Sequence, residues 1–120
     1  MTGPSILLVE DEAIIALDME MTLEENGYTV LGPFKSEAQA LGALADEVPA
    51  VAVLDINLGT TETSFGIARR MVELGTPIVF LTGYTAATVT IPDDIADVGR
   101  LLKPISDHDL LTAVAMALAG

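Results

Sequence analysis

Short runs of Ile, Val and Leu recur along the chain, separated by segments in which apolar residues have helical spacing. The strongest runs cover residues 6–9, 51–54 and 78–81, and weaker runs cover 28–31 and 98–102. Runs that are apolar on both faces are typical of buried parallel strands. We therefore predict five strands that share one parallel sheet.

The segments between these runs place apolar residues three or four positions apart, which predicts helices with one buried face. The order of elements is then βαβαβαβ…βα, which implies right-handed crossovers and a three-layer, doubly wound α/β sheet. The predicted apolar faces are, in chain order, Ile14, Leu17 and Met21; Leu41, Leu44, Ala45 and Val48; Ile67, Met71 and Leu74; and Leu110, Val114 and Leu118.

Capping residues support these helices. Ser36 with Gln39, and Ser106 with Asp109, have the spacing of N-terminal capping boxes. Gly75 follows the third helical pattern, where a helix commonly ends.

One segment, residues 85–94, breaks the helical pattern where a fourth helix is expected. It carries consecutive β-branched residues at positions 88–91, and Pro92 cannot lie inside a helix. We predict a short, irregular or absent helix there.

The composition limits the class of protein. The chain has 120 residues, which predicts one domain over residues 1–120. Its net charge of −13 repels phosphate backbones and disfavours nucleic-acid binding. It lacks both an apolar run of roughly 20 residues and a signal-peptide pattern, so we expect no membrane association and a cytoplasmic location.

Polar residues follow the predicted strands at the points where they end. Glu10 and Asp11 follow the first strand, Asp55 the third, Thr82 the fourth and Lys103 the fifth. In a doubly wound sheet, ligands bind outside the carboxyl ends of the strands. We therefore expect these side chains to meet at one edge of the sheet.

Three clustered carboxylates need a cation, because two like charges about 4 Å apart repel by roughly 4 kcal/mol at an effective dielectric near 20. Lys103 supplies one positive charge, and Mg²⁺, which prefers oxygen ligands, would supply the rest. Such a cluster indicates phosphoryl transfer, in which a carboxylate oxygen attacks phosphorus.

The segments "ILLVEDE", "VLDINL", "FLTGY" and "LLKPI" resemble, in this order and spacing, the response-regulator receiver domain of two-component signalling. The resemblance covers nearly the whole chain. It implies a flavodoxin-like fold with strand order 2-1-3-4-5, a bound Mg²⁺, and a histidine kinase or phosphotransfer protein as phosphoryl donor.

The resemblance also implies roles for individual residues. Asp55 matches the phosphoryl acceptor, Thr82 the switch hydroxyl and Lys103 the lysine that pairs with the phosphoryl group, followed by a proline whose peptide bond is usually cis.

Three further positions match the metal site of the family. Asp11 matches the main metal-ligand carboxylate and Glu10 its acidic neighbour, which often acts through water. Asn57 matches the residue whose backbone carbonyl ligates the metal. With Asp55, these residues form the predicted Mg²⁺ site.

"FLTGY" is similar to the signature of the FAT GUY receivers, which are often single-domain proteins partnered with kinases of the HWE class. One position departs from the family. Many receivers have Tyr or Phe three residues before the lysine, where this chain has Arg100. Arg100 either senses the active state, for example by pairing with Asp97, or is a solvated arginine at a strand edge.

The predicted function is a stand-alone receiver that accepts a phosphoryl group on Asp55 and signals to a downstream protein, without being a dedicated enzyme. One alternative is a pseudo-receiver that signals without phosphorylation. Another is a phosphatase of the haloacid-dehalogenase type, but such enzymes need an acid two residues after the nucleophile, where this chain has Asn57.

Overall fold

The protein is described by a computed structural model, which covers residues 3–59, 62–83, 91–95 and 99–120. The sheet strands are β1 Ser5–Val9, β2 Thr29–Phe34, β3 Val51–Asp55, β6 Ile78–Thr82 and β7 Gly99–Leu102. The helices are α1 Ala13–Glu25, α2 Glu37–Ala43, α3 Phe65–Leu74 and α4 Asp107–Ala119, and two short strands are β4 Asn57–Leu58 and β5 Glu62–Thr63.

The five sheet strands are all parallel, in the order β2-β1-β3-β6-β7. This is the order 2-1-3-4-5 of the five predicted strands, so the predicted doubly wound, flavodoxin-like sheet is confirmed. The chain leaves β1 towards β2 and then returns to β3 on the other side of β1. The strand order therefore reverses between β1 and β3, where such sheets bind ligands.

Helices cover both faces of the sheet because alternate strand residues point to opposite faces. On β1, Leu7 and Val9 join the core on the α2 and α3 side, whereas Ile6 and Leu8 join the core on the α1 and α4 side. Strand β3 is buried along its whole length. The central strands thus form a rigid support for the residues at their carboxyl ends.

Helix α1 buries a different face from the predicted one. Ile14, Leu17 and Met21, which we call the α1 stripe, are exposed, Ile14 to 86%. The residues packed against the sheet are instead Met19 and Leu23, together with Ala16 and Thr22. Both sets have helical spacing, because α1 is apolar over most of its circumference. Spacing alone therefore could not identify the buried face.

Helix α2 is shorter than the predicted pattern. It ends at Ala43, and Leu44 is its C-cap and is buried, whereas Leu41 and Val48 are exposed. The predicted apolar face was therefore wrong at Leu41, Ala45 and Val48, which are all exposed. The start of the helix agrees with the sequence, because the Gln39 amide donates to Ser36 Oγ over 3.3 Å.

Helices α3 and α4 follow the sequence more closely. Ile67, Met71, Leu110 and Val114 are buried as predicted, whereas Leu118 lies at the surface. Gly75 ends α3 with a φ of 75°, a left-handed conformation that favours glycine.

Part of the irregular segment before β7 is described. Residues 93–95 form a single 3₁₀ turn that follows Pro92, with Ile95 buried against the α3 side of the core. Asp94 pairs with Arg69 of α3, with 2.9 Å between Oδ2 and Nε. The remainder, residues 84–90, lies outside the described residues. Among the described residues, no helix combines the length and the apolar character needed to cross a bilayer.

Two substitutions in α1 test which of its faces supports the fold. Leu23→Ala should lower the free energy of unfolding by about 2–5 kcal/mol, because a buried side chain is lost and a cavity remains. Ile14→Ser should change it by less than about 0.5 kcal/mol, because Ile14 is exposed. Urea unfolding followed by circular dichroism measures both. A large loss from Ile14→Ser would contradict the observed packing of α1.

Candidate functional site

The register of the sheet brings the predicted site residues to one edge. Val9 pairs with Leu54, so Glu10 of the loop after β1 lies beside Asp55 at the end of β3. Thr82 pairs with Leu102, so Lys103 follows directly beyond the end of β6. Residues far apart in sequence become neighbours because parallel strands end at the same side of a sheet.

Lys103 forms ion pairs with two carboxylates at this edge. Its Nζ lies 2.8 Å from Glu10 Oε1 and 2.9 Å from Asp55 Oδ2. Glu10 is fully buried and Asp55 is only 5% exposed. Charges so deeply buried require a partner of opposite sign, and Lys103 is shared between them. We call these three residues the ionic triad.

The pKa of Asp55 is governed first by burial of its carboxyl group and then by its two charged neighbours in the triad. Burial of the Asp55 carboxyl raises its pKa from 3.8 to about 7, against the lowering effect of the Lys103 hydrogen bond and with a further increase from the Glu10 charge. Burial alone would lower the pKa of Lys103, but its hydrogen bonds to Glu10 and Asp55 raise that pKa above its ordinary value. Lys103 therefore stays charged, and Asp55 takes up a proton near neutral pH.

The loop after β1 and the segment after β3 are joined by a hydrogen bond. The backbone amide of Gly59 donates to Asp11 Oδ2 over 2.9 Å. Asn57 begins the short strand β4, two residues after Asp55. A cavity of about 190 Å³ opens at this point, lined by Asp11, Glu12, Asp55, Asn57, Gly59, Gly83 and Lys103.

The donors around this cavity suit a magnesium ion. Glu10, Asp11 and Asp55 each place a carboxylate oxygen within 4.8 Å of the other two. Opposite ligands of an octahedral Mg²⁺ lie roughly 4 Å apart, so small side-chain movements would complete such a site. The family resemblance implied a Mg²⁺ site of this kind.

Glu10 differs from the other two acids because both of its oxygens already have neighbours. Oε1 lies against Lys103, and Oε2 accepts a hydrogen bond from the Glu12 amide over 3.1 Å. Asp11 and Asp55 line the cavity itself. This difference supports the prediction that Glu10 acts on a metal through water, whereas Asp11 and Asp55 offer direct ligands.

Thr82 reaches the cluster through its main chain. Its carbonyl accepts a hydrogen bond from the Lys103 amide over 2.7 Å, and its side chain is half-buried. The wall of the cavity on this side is Gly83, the next residue. The switch role of Thr82 stays a prediction.

Two other sequence predictions concern the strand beside Thr82. The Lys103–Pro104 peptide bond is cis, as the family resemblance implied. Arg100 lies on β7 in register with Phe80. Its suggested partner Asp97 lies outside the described residues.

Sequence reasoning missed three residues that line the cavity, namely Glu12, Gly59 and Gly83. Glu12 is the third acid of "EDE", and its position beside Asp11 was the available signal. Gly59 has a φ of 80°, which favours glycine, and it turns the chain so that its amide faces Asp11. The sequence offered no comparable signal for Gly83.

Comparison with known proteins identifies the family. A family model described as the response regulator receiver domain matches residues 6–115. The chain belongs to this family.

Solved receivers share the fold over nearly the whole chain. SdrG from Sphingomonas melonis Fr1 is 32% identical with a TM-score of 0.82, and the alignment covers 98% of this chain and 97% of that one. A response regulator receiver protein from Sinorhizobium medicae WSM419 is 31% identical with a TM-score of 0.81, covering 98% and 96%.

A curated relative is longer than this chain. The transcriptional regulatory protein PdtaR of Mycobacterium tuberculosis is 26% identical over 130 residues. The alignment covers 99% of this receiver but only 63% of PdtaR. The matching region is therefore the receiver, and the relative contains further sequence.

The raised pKa of Asp55 predicts how stability depends on pH. Between pH 4 and 7 the folded chain binds more protons at Asp55 than the unfolded chain, so the free energy of unfolding should fall as pH rises through this window. The contribution of Asp55 is at most about 4 kcal/mol. Thermal unfolding in EDTA at pH 5 and pH 8 measures the difference.

The amide variant Asp55→Asn is the matched control, because it keeps the volume of the side chain but cannot titrate. It should reduce the loss of stability between pH 5 and pH 8 by about half or more, because the main titrating group is removed. Identical pH profiles for the variant and the wild type would show that Asp55 ionises normally.

Proposed function

We propose that this receiver accepts a phosphoryl group on Asp55 from a phosphohistidine donor. The observation that carries the proposal is the ionic triad, in which one buried ammonium bridges Glu10 and Asp55 beside the open cavity. A structural ion pair would not require a second carboxylate, a third acid at Asp11 and a cavity over Asp55. Together they suit an acceptor of a negatively charged group.

The chemistry follows from the groups in place. An Asp55 carboxylate oxygen attacks phosphorus, the bond between phosphorus and the donor imidazole nitrogen breaks, and the imidazole keeps the electron pair and takes a proton. Asp11, Asp55 and the Asn57 carbonyl would hold Mg²⁺, and Glu10 would contact it through water. The ion would neutralise phosphoryl oxygens. Lys103 would move with the phosphoryl group and stabilise its charge.

Asn57 favours storage of the phosphoryl group over turnover. It lies on the cavity wall two residues after Asp55, where a phosphatase of the haloacid-dehalogenase type needs a carboxylic acid. An amide cannot remove a proton from water as a general base. We therefore propose slow self-dephosphorylation and no dedicated enzymatic activity.

The output would begin at Thr82. Phosphorylation adds a charge of about −1.5 to −2, which would attract the hydroxyl of Thr82 and the ammonium of Lys103. The Lys103 amide already bonds to the Thr82 carbonyl, so β6 and β7 would respond together. We propose that a downstream protein recognises the altered surface near these strands.

A protein donor must cover the rim of the cavity to bring its phosphohistidine to Asp55. The α1 stripe starts at this rim, two residues after Glu12. A groove of about 340 Å³ runs between α1 and the segment after β7, and Lys103 lines both the groove and the cavity. We propose that the donor, a histidine kinase or a phosphotransfer protein, docks on the α1 stripe and this groove.

Several finer predictions belong to this proposal. We propose that residues 1–120 form one receiver domain of the FAT GUY type and that its kinase is of the HWE class. A cytoplasmic location stays a prediction.

Phosphorylation can be tested with a small donor. Incubation with Mg²⁺ and acetyl phosphate should raise the intact mass by one phosphoryl group, because Asp55 is the acceptor. Asp55→Asn should abolish the gain, and Lys103→Ala should lower the phosphorylation rate by about tenfold or more. Absence of any mass gain under donor excess would favour the pseudo-receiver alternative.

The docking surface is tested with a phosphotransfer domain that phosphorylates the wild-type chain. The double variant Ile14→Ser, Leu17→Ser should slow transfer from this domain by about tenfold, because apolar contact area is lost. Phosphorylation by acetyl phosphate should be unchanged, because the site is intact.

The matched control for the docking variant is Met116→Ser, which removes an exposed apolar side chain from α4. It should leave both rates unchanged. Equal transfer rates for the double variant and the wild type would place the donor elsewhere.

A further inference from the structure

The small antiparallel hairpin formed by β4 and β5 connects the site to a second part of the fold. Asn57 pairs with Thr63, and Leu58 pairs with Glu62. The hairpin follows Asp55 directly and ends where α3 begins. Two residues of this region line the cavity: Asn57, which lies on β4, and Gly59, which directly follows β4.

The hairpin is fixed on the side of the site and in the core. The Gly59 amide donates to Asp11, a predicted metal ligand, over 2.9 Å. The neighbouring Leu58 is buried in the core on the α3 side. These contacts hold the first strand of the hairpin, but neither of them holds its second strand.

Glu62 anchors that second strand. Its Oε2 accepts a hydrogen bond from the Glu37 backbone amide over 3.2 Å. Glu37 is the first residue of α2, where backbone amides have no partner within the helix. The hairpin is thus tied to the start of α2.

The anchor point is itself held in place. Ser36 caps α2 through the Gln39 amide. This cap does not involve the Glu37 side chain, and it fixes the first turn of α2 and with it the Glu37 amide.

We propose that Glu62 is a positioning residue for the metal site. By holding β5 against α2, it fixes the paired strand β4 and so the Asn57 carbonyl and the Gly59 amide relative to Asp11. Without this hydrogen bond, Asn57 and Gly59 would be less ordered in the absence of metal. Mg²⁺ binding would then cost more conformational entropy. The inference rests on the proposed Mg²⁺ site and adds a residue outside the cavity that sets its affinity.

A purely electrostatic role predicts different behaviour. If Glu62 acted only by its negative charge, its neutral amide analogue would weaken Mg²⁺ binding as much as alanine does. If it acts by accepting the Glu37 hydrogen bond, Glu62→Gln retains an acceptor oxygen and should bind Mg²⁺ almost as the wild type does. Glu47→Ala removes the same charge from an exposed position outside the hairpin and serves as the matched control.

The same hydrogen bond can be removed from the donor side. Glu37→Pro deletes the backbone amide, and proline is well tolerated at the first position of a helix. The preceding residue, Ser36, has φ −139° and ψ 160°, which suits the position before a proline. Glu37→Ala loses the same side chain but keeps the amide, so it is the control for Glu37→Pro.

In the experiment, each variant is titrated with Mg²⁺ alone. Binding is measured by calorimetry and by the NMR signal of the Gly59 amide. Glu62→Ala and Glu37→Pro should each raise the Kd for Mg²⁺ by about three- to tenfold. Their combination should add nothing to the larger single effect, because both remove one interaction. Glu62→Gln, Glu37→Ala and Glu47→Ala should stay within about twofold of the wild type.

A second readout separates positioning from a general loss of structure. The rate of phosphorylation by acetyl phosphate should fall for Glu62→Ala at limiting Mg²⁺ and recover at saturating Mg²⁺. A misfolded variant would not recover. If Glu62→Ala lowers thermal stability strongly, the pair Glu37→Pro and Glu37→Ala decides the question.

Two results would overturn the inference. One is an unchanged Kd for both Glu62→Ala and Glu37→Pro, and the other is an equal loss for Glu62→Gln and Glu62→Ala. A wild-type chain that binds no Mg²⁺ would instead contradict the metal site in the proposed function. The two failures are therefore distinguishable.

Discussion

The ammonium of Lys103, shared between Glu10 and Asp55, is the interaction on which the site depends. Two carboxylates could not stay buried side by side without it, because desolvation and their mutual repulsion would drive protonation or exposure. One ammonium does not balance two carboxylates. The pKa of Asp55 is raised chiefly by burial of its carboxyl group and further by the Glu10 charge. In the proposed function, a divalent cation would supply the missing positive charge and would stabilise the phosphoryl group.

The sheet supplies the rigidity that this arrangement needs. Strands β1 and β3 are buried on both faces, so the residues at their ends have little freedom to move apart. Lys103 follows β7, far along the chain from Glu10. The hydrogen bond from its amide to the Thr82 carbonyl fixes the Lys103 backbone beside the end of β6. The hydrophobic core and the ionic triad thus depend on each other. The core holds the charged groups in position, and the ion pairs of the triad offset the free-energy cost of burying them.

The surroundings of the site divide into separate tasks. The α1 stripe and the neighbouring groove offer an apolar surface beside the rim, suited to a protein that delivers a phosphoryl group. The β4–β5 hairpin contributes Asn57 and the following Gly59 to the wall of the cavity and is linked to α2 through Glu62. Strands β6 and β7 carry Thr82 and Lys103 towards the surface that a downstream protein would recognise. In the proposed function, reaction, donor docking and output would therefore use different elements around one cavity.

Much of this organisation was determined by the sequence itself. Buried parallel strands need continuous apolar runs, which can be recognised in the sequence. The order of elements then places the ends of these strands at one edge of the sheet, so the grouping of Glu10, Asp11, Asp55 and Lys103 was predictable. Tertiary packing decided what periodicity could not. Helix α1 has two faces with helical apolar spacing, and only contact with the sheet selected Met19 and Leu23 over Ile14 and Leu17. The anchor between Glu62 and Glu37 likewise joins residues 25 positions apart. No local pattern encodes such a contact, because it exists only once α2 and the hairpin have packed together.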